Sequence, residues 1–225
     1  MKSVDLGTLG YRDAWKRQEL EHARVLDGGE EVILYVEHNH TITTGRRAEA
    51  ARSHVLATDG ELERLGVDLV ETDRGGDVTY HGPGQLVAYP IVRIADHGLT
   101  VGSYMRLLQE AVVATVADFG LEGQLDASAP GVWCFDDKIA EMAKVCAVGV
   151  RVKRGVTMHG LALNVEPDMH KFALIDPCGL GRPVTSLRRV THAHSPSIAA
   201  VRPVLHRELA LRLGKSAAGP QAVGP

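Results

Sequence analysis

The sequence predicts an α+β fold, a mixed and largely antiparallel sheet flanked by helices. In its first half, helix-forming stretches free of Gly and Pro alternate with short apolar runs, as where residues 12–26 precede Val32-Ile33-Leu34-Tyr35-Val36. In its second half the apolar runs follow one another directly, with Lys153-Arg154-Gly155 joining residues 145–152 to 156–165 at hairpin spacing. Alternation followed by hairpins argues against a doubly wound parallel sheet. The third observation is composition: 225 residues, 44% hydrophobic and 24% charged, enough to bury a sizeable core without disulfides or metal. A single domain is expected over residues 1–214. Residues 215–225, rich in Gly, Pro, Ala and Ser, read as a disordered tail.

Taken in order, residues 3–10 are turn-rich around Gly7 and Gly10. Residues 12–26 form a helix with Trp15, Gln18 and His22 on one face, ended by Gly28-Gly29. A buried strand over 32–36 runs into a polar loop, 37–46, whose basic end Arg46-Arg47 is either an anion ligand or a solvated surface. Residues 50–65 are helical with a break at Thr58-Asp59-Gly60, and 67–71 is a short strand. Residues 86–94 are a strand in which Pro90 marks an edge or a bulge. The clearest helix covers 103–119, where Tyr104, Leu107, Leu108, Ala111, Thr115, Val116 and Phe119 make one apolar stripe, stopped by Gly120. Residues 131–135 are a strand, 136–142 a loop or helical turn, 167–183 a loop-rich segment and 204–213 a C-terminal helix.

Charge and composition exclude some function classes. A net charge of −3 and an aromatic content of 4% give neither the electrostatic pull nor the stacking platforms of a nucleic-acid binder. Cys134, Cys146 and Cys178 are an odd number without repeating spacing, which fits a reducing compartment better than a disulfide framework. Met1-Lys2-Ser3-Val4-Asp5 carries no signal-peptide h-region, and no apolar run nears the roughly 20 residues of a membrane span. A cytoplasmic protein without a membrane partner is expected.

The densest stretch is Arg74-Gly75-Gly76-Asp77-Val78-Thr79-Tyr80-His81-Gly82-Pro83-Gly84-Gln85. A surface turn has no need of so many special residues; a loop whose backbone approaches a ligand does. Phosphate is not that ligand. There is no Gly-x-x-x-x-Gly-Lys-Ser/Thr, and the residues after Gln85 read as strand, so no helix N-terminus faces an anion. Cys178, between Pro177 and Gly179, lies in a turn and is sterically open, whereas Cys134 and Cys146 sit in apolar runs. A nucleophilic thiol needs a cation or base nearby. Lys144, at the mouth of Val145-Cys146-Ala147-Val148-Gly149-Val150, is either a snorkelling surface residue or that cation. His159-Gly160 interrupts a strand, which marks close backbone approach. The close pairs His38/His40 and His192/His194 lack further ligands at metal-site spacing, so no metal is expected.

The stretch from Arg74 to Gln85 resembles the signature of the lipoate-biosynthetic octanoyltransferases. Lys144-Val145-Cys146-Ala147-Val148-Gly149-Val150-Arg151 is similar to that family's lysine-containing strand. Val156-Thr157-Met158-His159-Gly160-Leu161-Ala162-Leu163-Asn164-Val165 is similar to its second pocket strand, and Pro177-Cys178-Gly179 with Val184-Thr185-Ser186-Leu187 to its nucleophile segment. Upstream, Leu34-Tyr35-Val36-Glu37-His38 and Thr43-Thr44-Gly45-Arg46 also resemble it, and the order is colinear from about residue 5 to 190. One departure is a longer link, residues 136–143, in which Lys138-Ile139-Ala140 mimics a Lys-Ile-Ala start; Lys144 is preferred because it alone leads straight into the Ala-Val-Gly-Val-Arg strand.

The resemblance implies the fold of the biotin/lipoate protein ligase catalytic domain. It implies transfer of octanoyl from octanoyl-acyl carrier protein to a lysine of lipoyl domains, those of 2-oxoacid dehydrogenase E2 subunits and of the glycine cleavage H protein. It also implies a Cys178 acyl-thioester with Lys144 as its partner, and a pocket lined by Arg74, Gly75, Gly76, Asp77, Val78, Thr79, Tyr80 and His81, by Ala147, Val148 and Gly149, and by His159, Gly160, Leu161 and Ala162. No cofactor is implied, because exchange of one thioester for another is near neutral and amide formation from it is downhill. The rival readings are an ATP-dependent lipoate or biotin ligase on the same fold, and a non-catalytic acyl-carrier binding protein.

Overall fold

The computed structural model describes residues 1–46, 51–177, 181–191 and 195–217, the side chains of 215–217 excepted. Strand β1 (Lys2–Leu9) opens the chain where turns were expected. The turn chemistry is real but sits inside the strand: Gly7 has φ 62°, its N–H donates to Asp5 Oδ1, and the pairing shifts register between Asp5 and Thr8. Helix α1 (Tyr11–Leu26) follows, with Gln18 and His22 buried on its inner face. Strand β2 (Val32–His38) is buried almost throughout.

The polar segment after it is not a loop. Thr41–Thr44 forms strand β3, and Thr41, Thr43 and Thr44 are buried. Threonine is β-branched and suits a pleated surface, so its polarity hid a strand. Helix α2 (Asp59–Arg64) starts at the expected break, where Thr58 and Glu61 form a reciprocal capping box. Strands β4 (Asp68–Glu71) and β5 (Thr79–His81) flank β3 in a three-stranded sheet of order β4-β3-β5, parallel on one side and antiparallel on the other. Part of the Gly-rich stretch is therefore strand.

Strand β6 (Gln85–Ile91), helix α3 (Val101–Ala117) and strands β7 (Gln124–Leu125), β8 (Val132–Asp136), β9 (Glu141–Lys153) and β10 (Val156–Asn164) follow, with 3₁₀ turns at Ile94–His97 and Met169–Leu174. The segment expected to be a loop or helical turn after β8 is a tight turn that extends both strands. Arg154 (φ 53°) and Gly155 (φ 82°) close the β9–β10 hairpin, both left-handed as a two-residue turn between twisted strands requires. Helix α4 (Leu187–Val190) and the long α5 (Ile198–Ala217) complete the described chain. The helix thus begins earlier than expected and continues past residue 214, while 218–225 of the expected tail lie outside the described residues.

The main sheet has the order β1-β2-β6-β10-β9-β8-β7, parallel at β1–β2 and antiparallel elsewhere. This is the mixed, largely antiparallel architecture the sequence predicts. Leu108, Val112, Leu205 and Leu209 of α3 and α5 join Leu86, Leu161 and Leu163 of the sheet in one core, while Ala14 and Val25 of α1 join Leu34, Val87 and Ile91 in another. A third core, with Ile42, Leu62 and Tyr80, lies against the small sheet. No helix among the described residues is long and apolar enough to cross a membrane.

Pro90 lies on an internal strand, not at an edge. The β6–β10 ladder runs from Asn164↔Gln85 to Leu161↔Ala88 and resumes at Val156↔Arg93, so Pro90 falls in the gap. Its missing N–H costs no ladder bond there. Opposite the gap His159 adopts φ 57° and its N–H donates instead to Gln18 Oε1 at 2.8 Å.

Candidate active site

A cavity of about 200 Å³ opens between the β9–β10 hairpin, the N-terminus of α1 and the Gly-rich stretch. Its floor follows from two cross-strand pairs, Gly160↔Gly149 and Ala162↔Ala147, all four of which line it. Larger residues at directly opposed positions would fill the space. The covering loop lies hard against this floor: Gly75 N–H donates to Val150 O at 2.9 Å, and a Cβ on Gly149 would come within 2.7 Å of Gly75 O. Arg74 fastens the loop. Its guanidinium donates to Thr43 O (2.7 Å), Thr43 Oγ1 (3.0 Å) and Asp77 O (2.6 Å).

Residues 74–79 and His81, residues 147–149, residues 159–162 and Lys144 all line the cavity. Tyr80, expected among them, does not. Side chains alternate along a strand, so Thr79 and His81 face the cavity while Tyr80 turns into the third core, its ring edge-on to Phe172 and its hydroxyl 2.6 Å from His40 Nδ1. Cys178 lies outside the described residues. Pro177 and Val184, on either side of it in the chain, line the same cavity as Lys144.

Lys144 marks one end. Its N–H donates to Pro183 O and its carbonyl accepts from Thr185 N–H, a parallel bridge onto Val184. Its ammonium lies 4.9 Å from the centre of the Trp133 ring, which also carries the Arg182 guanidinium at 3.7 Å. The competing Lys138 sits in the exposed turn between β8 and β9, away from the cavity. The two described cysteines, Cys134 and Cys146, are buried, and burial pushes their thiols up to about 11 and about 12. Neither has thiolate character at neutral pH.

The opposite end is closed by paired polar groups. Asp73 binds both Arg151 and His159 Nε2, and His159 Nδ1 meets Tyr11 hydroxyl at 3.3 Å. Burial, with Arg74, Arg151 and Arg46 nearby, drives His159 down to about 3 against the weaker pull of Glu19. Between the ends runs a wall of stacked rings: Tyr11 on His81 at 5.5 Å, and His38 edge-on to His81 at 5.5 Å. Burial lowers His38 to about 4 and His81 well below the usual histidine value, and it raises Tyr11 to about 12. These rings stay neutral around pH 7, so the wall is polar but uncharged.

Tyr11, Gln85, Tyr89 and Asn164 also line the cavity without having been named as pocket residues from the sequence. Gln85 closes the Gly-rich signature and Asn164 ends the second pocket strand, so their positions carried a signal. Tyr11 carried none, since the N-terminal residue of an amphipathic helix reads as packing.

A family model, the lipoyl protein ligase A/B catalytic domain, matches residues 10–210. An octanoyltransferase of Chloroflexus aurantiacus is 48% identical over 187 residues, covering 81% of this chain and 80% of that protein. An octanoyltransferase of Bacteroides fragilis is 42% identical over 219 residues, covering 93% of this chain and 97% of that protein. Among solved structures, a putative lipoate protein ligase from T. acidophilum with bound lipoic acid superposes with a TM-score of 0.71 at 21% identity, over 95% of this chain and 86% of that one. The floor, the fastened loop and the lysine strand thus lie within a match that spans nearly all of the sequence, and the chain belongs to the lipoyl protein ligase A/B catalytic-domain family, among its acyltransferases.

Proposed function

We propose that this protein transfers octanoyl from octanoyl-acyl carrier protein to a lysine of lipoyl domains, through an acyl-thioester on Cys178. The acceptors are the lipoyl domains of 2-oxoacid dehydrogenase E2 subunits and the glycine cleavage H protein, and the setting is lipoate biosynthesis in the cytoplasm. The observation that carries the reading is the convergence of Lys144, Pro177 and Val184 on one narrow cavity, in a chain whose relatives are named octanoyltransferase.

The chemistry runs in two balanced steps. The Cys178 thiolate attacks the donor thioester, a new C–S bond forms and the carrier thiol leaves. The lysine amine then attacks the acyl carbon, the C–N bond forms, the C–S bond breaks and the amine's surplus proton passes to the departing sulfur. The Lys144 ammonium favours the thiolate by charge, and as an amine it relays the proton. The Ala/Gly floor admits the acyl chain, and the oxyanion is held by backbone N–H groups of the Gly-rich loop or beside Cys178.

Intact-mass measurement on the protein mixed with octanoyl-acyl carrier protein tests this. A hydroxylamine-labile adduct is expected, absent from Cys178→Ala. Turnover should fall roughly 10²–10⁴-fold in Lys144→Ala and stay unchanged in Lys138→Ala. An adduct surviving Cys178→Ala would sink the reading. Pyrophosphate release from ATP on adding free octanoate would replace it with the ligase reading.

A further inference from the structure

The cavity wall holds a polar group that the thiol–lysine pair does not use. His81 is 5% exposed, lines the cavity, and its Nε2 is buried and meets no hydrogen-bonding group among the described residues. Its other nitrogen is fixed by a chain of bonds whose direction can be worked out. Gln85 Nε2 lies 3.2 Å from Tyr80 O, and Asn164 Nδ2 lies 3.0 Å from Thr185 O. Main-chain carbonyls only accept, so both amides are oriented with their nitrogens toward them. Asn164 Oδ1 then accepts from Gln85 Nε2 at 2.9 Å, and Gln85 Oε1 faces His81 Nδ1 at 2.7 Å. An amide oxygen cannot donate, so His81 Nδ1 carries the proton and Nε2 is a bare lone pair on a ring that lines the cavity.

We infer that His81 Nε2 is the acceptor that seats the incoming lysine amine in the second half-reaction. The inference rests on the acyl-transfer reading above. A saturated acyl chain has no N–H or O–H to offer a buried lone pair, and a buried acceptor left unmet is costly. The amine of the acceptor lysine brings such a donor. One N–H held by His81 leaves the nitrogen lone pair free to face the acyl carbon, so the group orients attack and does not take the proton. The proton still ends on the departing sulfur. Burial of the ring agrees with this role, since a protonated Nε2 would donate and repel an ammonium. The chain of amides starts from Thr185, whose N–H is bonded to Lys144 O, so the acceptor is registered on the same strand segment as the lysine.

The test separates the half-reactions in His81→Phe, a ring without an acceptor. Transfer from preformed adduct to a lipoyl domain should slow roughly 100-fold, about tenfold or more beyond any slowing of adduct formation from octanoyl-acyl carrier protein, followed by intact mass. His81→Gln, which keeps a side-chain acceptor, should recover part of the transfer rate and stands in if the Phe variant does not fold. On the wild type, ¹⁵N spectra of labelled histidine should give one ring, absent from either His81 variant, protonated at Nδ1 and bare at Nε2 down to pH 5. Unchanged transfer, equal slowing of both halves, or an Nε2-protonated ring would overturn the inference. Absence of any adduct in wild type would instead overturn the acyl-transfer reading.

Discussion

The two ends of the cavity hold their polar side chains in different ways. At the closed end Asp73, Arg151, His159 and Tyr11 satisfy one another, and Arg74 is bonded to Thr43 and Asp77. At the other end the Lys144 ammonium rests on an aromatic face, and on the wall between the ends the buried His81 ring keeps an Nε2 that meets no hydrogen-bonding group among the described residues. A saturated polar cluster holds shape, because moving any member breaks several bonds; a buried ring nitrogen with an unused lone pair, as on His81, is available to a reactant. Conspicuous residues are therefore poor guides to chemistry here. The arginine and aspartates around the glycines are fastenings, and the reactive features are sparser.

The largest break to attempt is Asp73→Ala. It removes the partner of both Arg151 and a fully buried histidine, so urea unfolding should show a loss of about 3 kcal/mol. The rate per folded molecule should change less than tenfold. A collapse in rate at unchanged stability would mean that the closed end takes part in the chemistry.

Next is Ala162→Leu, which fills the floor midway between the ends while leaving both in place. Octanoyl transfer should drop roughly 10–100-fold, and a butanoyl donor should be affected far less. Equal loss for both chain lengths would show that the floor does not set the room for the chain.

The most gradual effect is that of pH on the wall between the ends. His38 titrates at about 4 in the folded protein against 6.5 unperturbed, and His81 is held well below its usual value for the same reason, burial. Between those values the unfolded chain binds protons that the native one does not, so stability falls as pH drops below 6.5 and is flat above it. The expected slope is on the order of 1 kcal/mol per pH unit for each histidine. A urea midpoint that stays constant from pH 6.5 to 5 would mean that these rings are charged in the fold.

Much of this was legible in the sequence, for stated reasons. Helix α3 and the β9–β10 hairpin carry clean periodicity and a two-residue turn, and their residues landed where expected. The Ala/Gly floor was visible as small residues in two strands, although its cross-strand register was not. Strand β3 was missed because four buried positions are Thr-Ile-Thr-Thr, and β1 because its glycine bulge looked like a turn. Tyr80 was assigned to the wrong side because a signature was read as a continuous surface, whereas the strand it forms presents only alternate residues. Lys144 was preferred over Lys138 on its neighbours alone; it lines the cavity, whereas Lys138 lies in the exposed turn between β8 and β9. The amide chain behind His81 joins residues 81, 85, 164 and 185, a separation that no local pattern reports.

The bulge in β1 bears on behaviour in concentrated solution. The main sheet has two edges, β7 with two residues and β1 with eight. A long straight edge invites a strand from another molecule. The kink at Gly7 breaks the spacing of free N–H and C=O groups along β1, and Lys2 and Asp5 place charge beside them. An irregularity that costs the strand pairing with its own neighbour also denies a foreign strand a matching template.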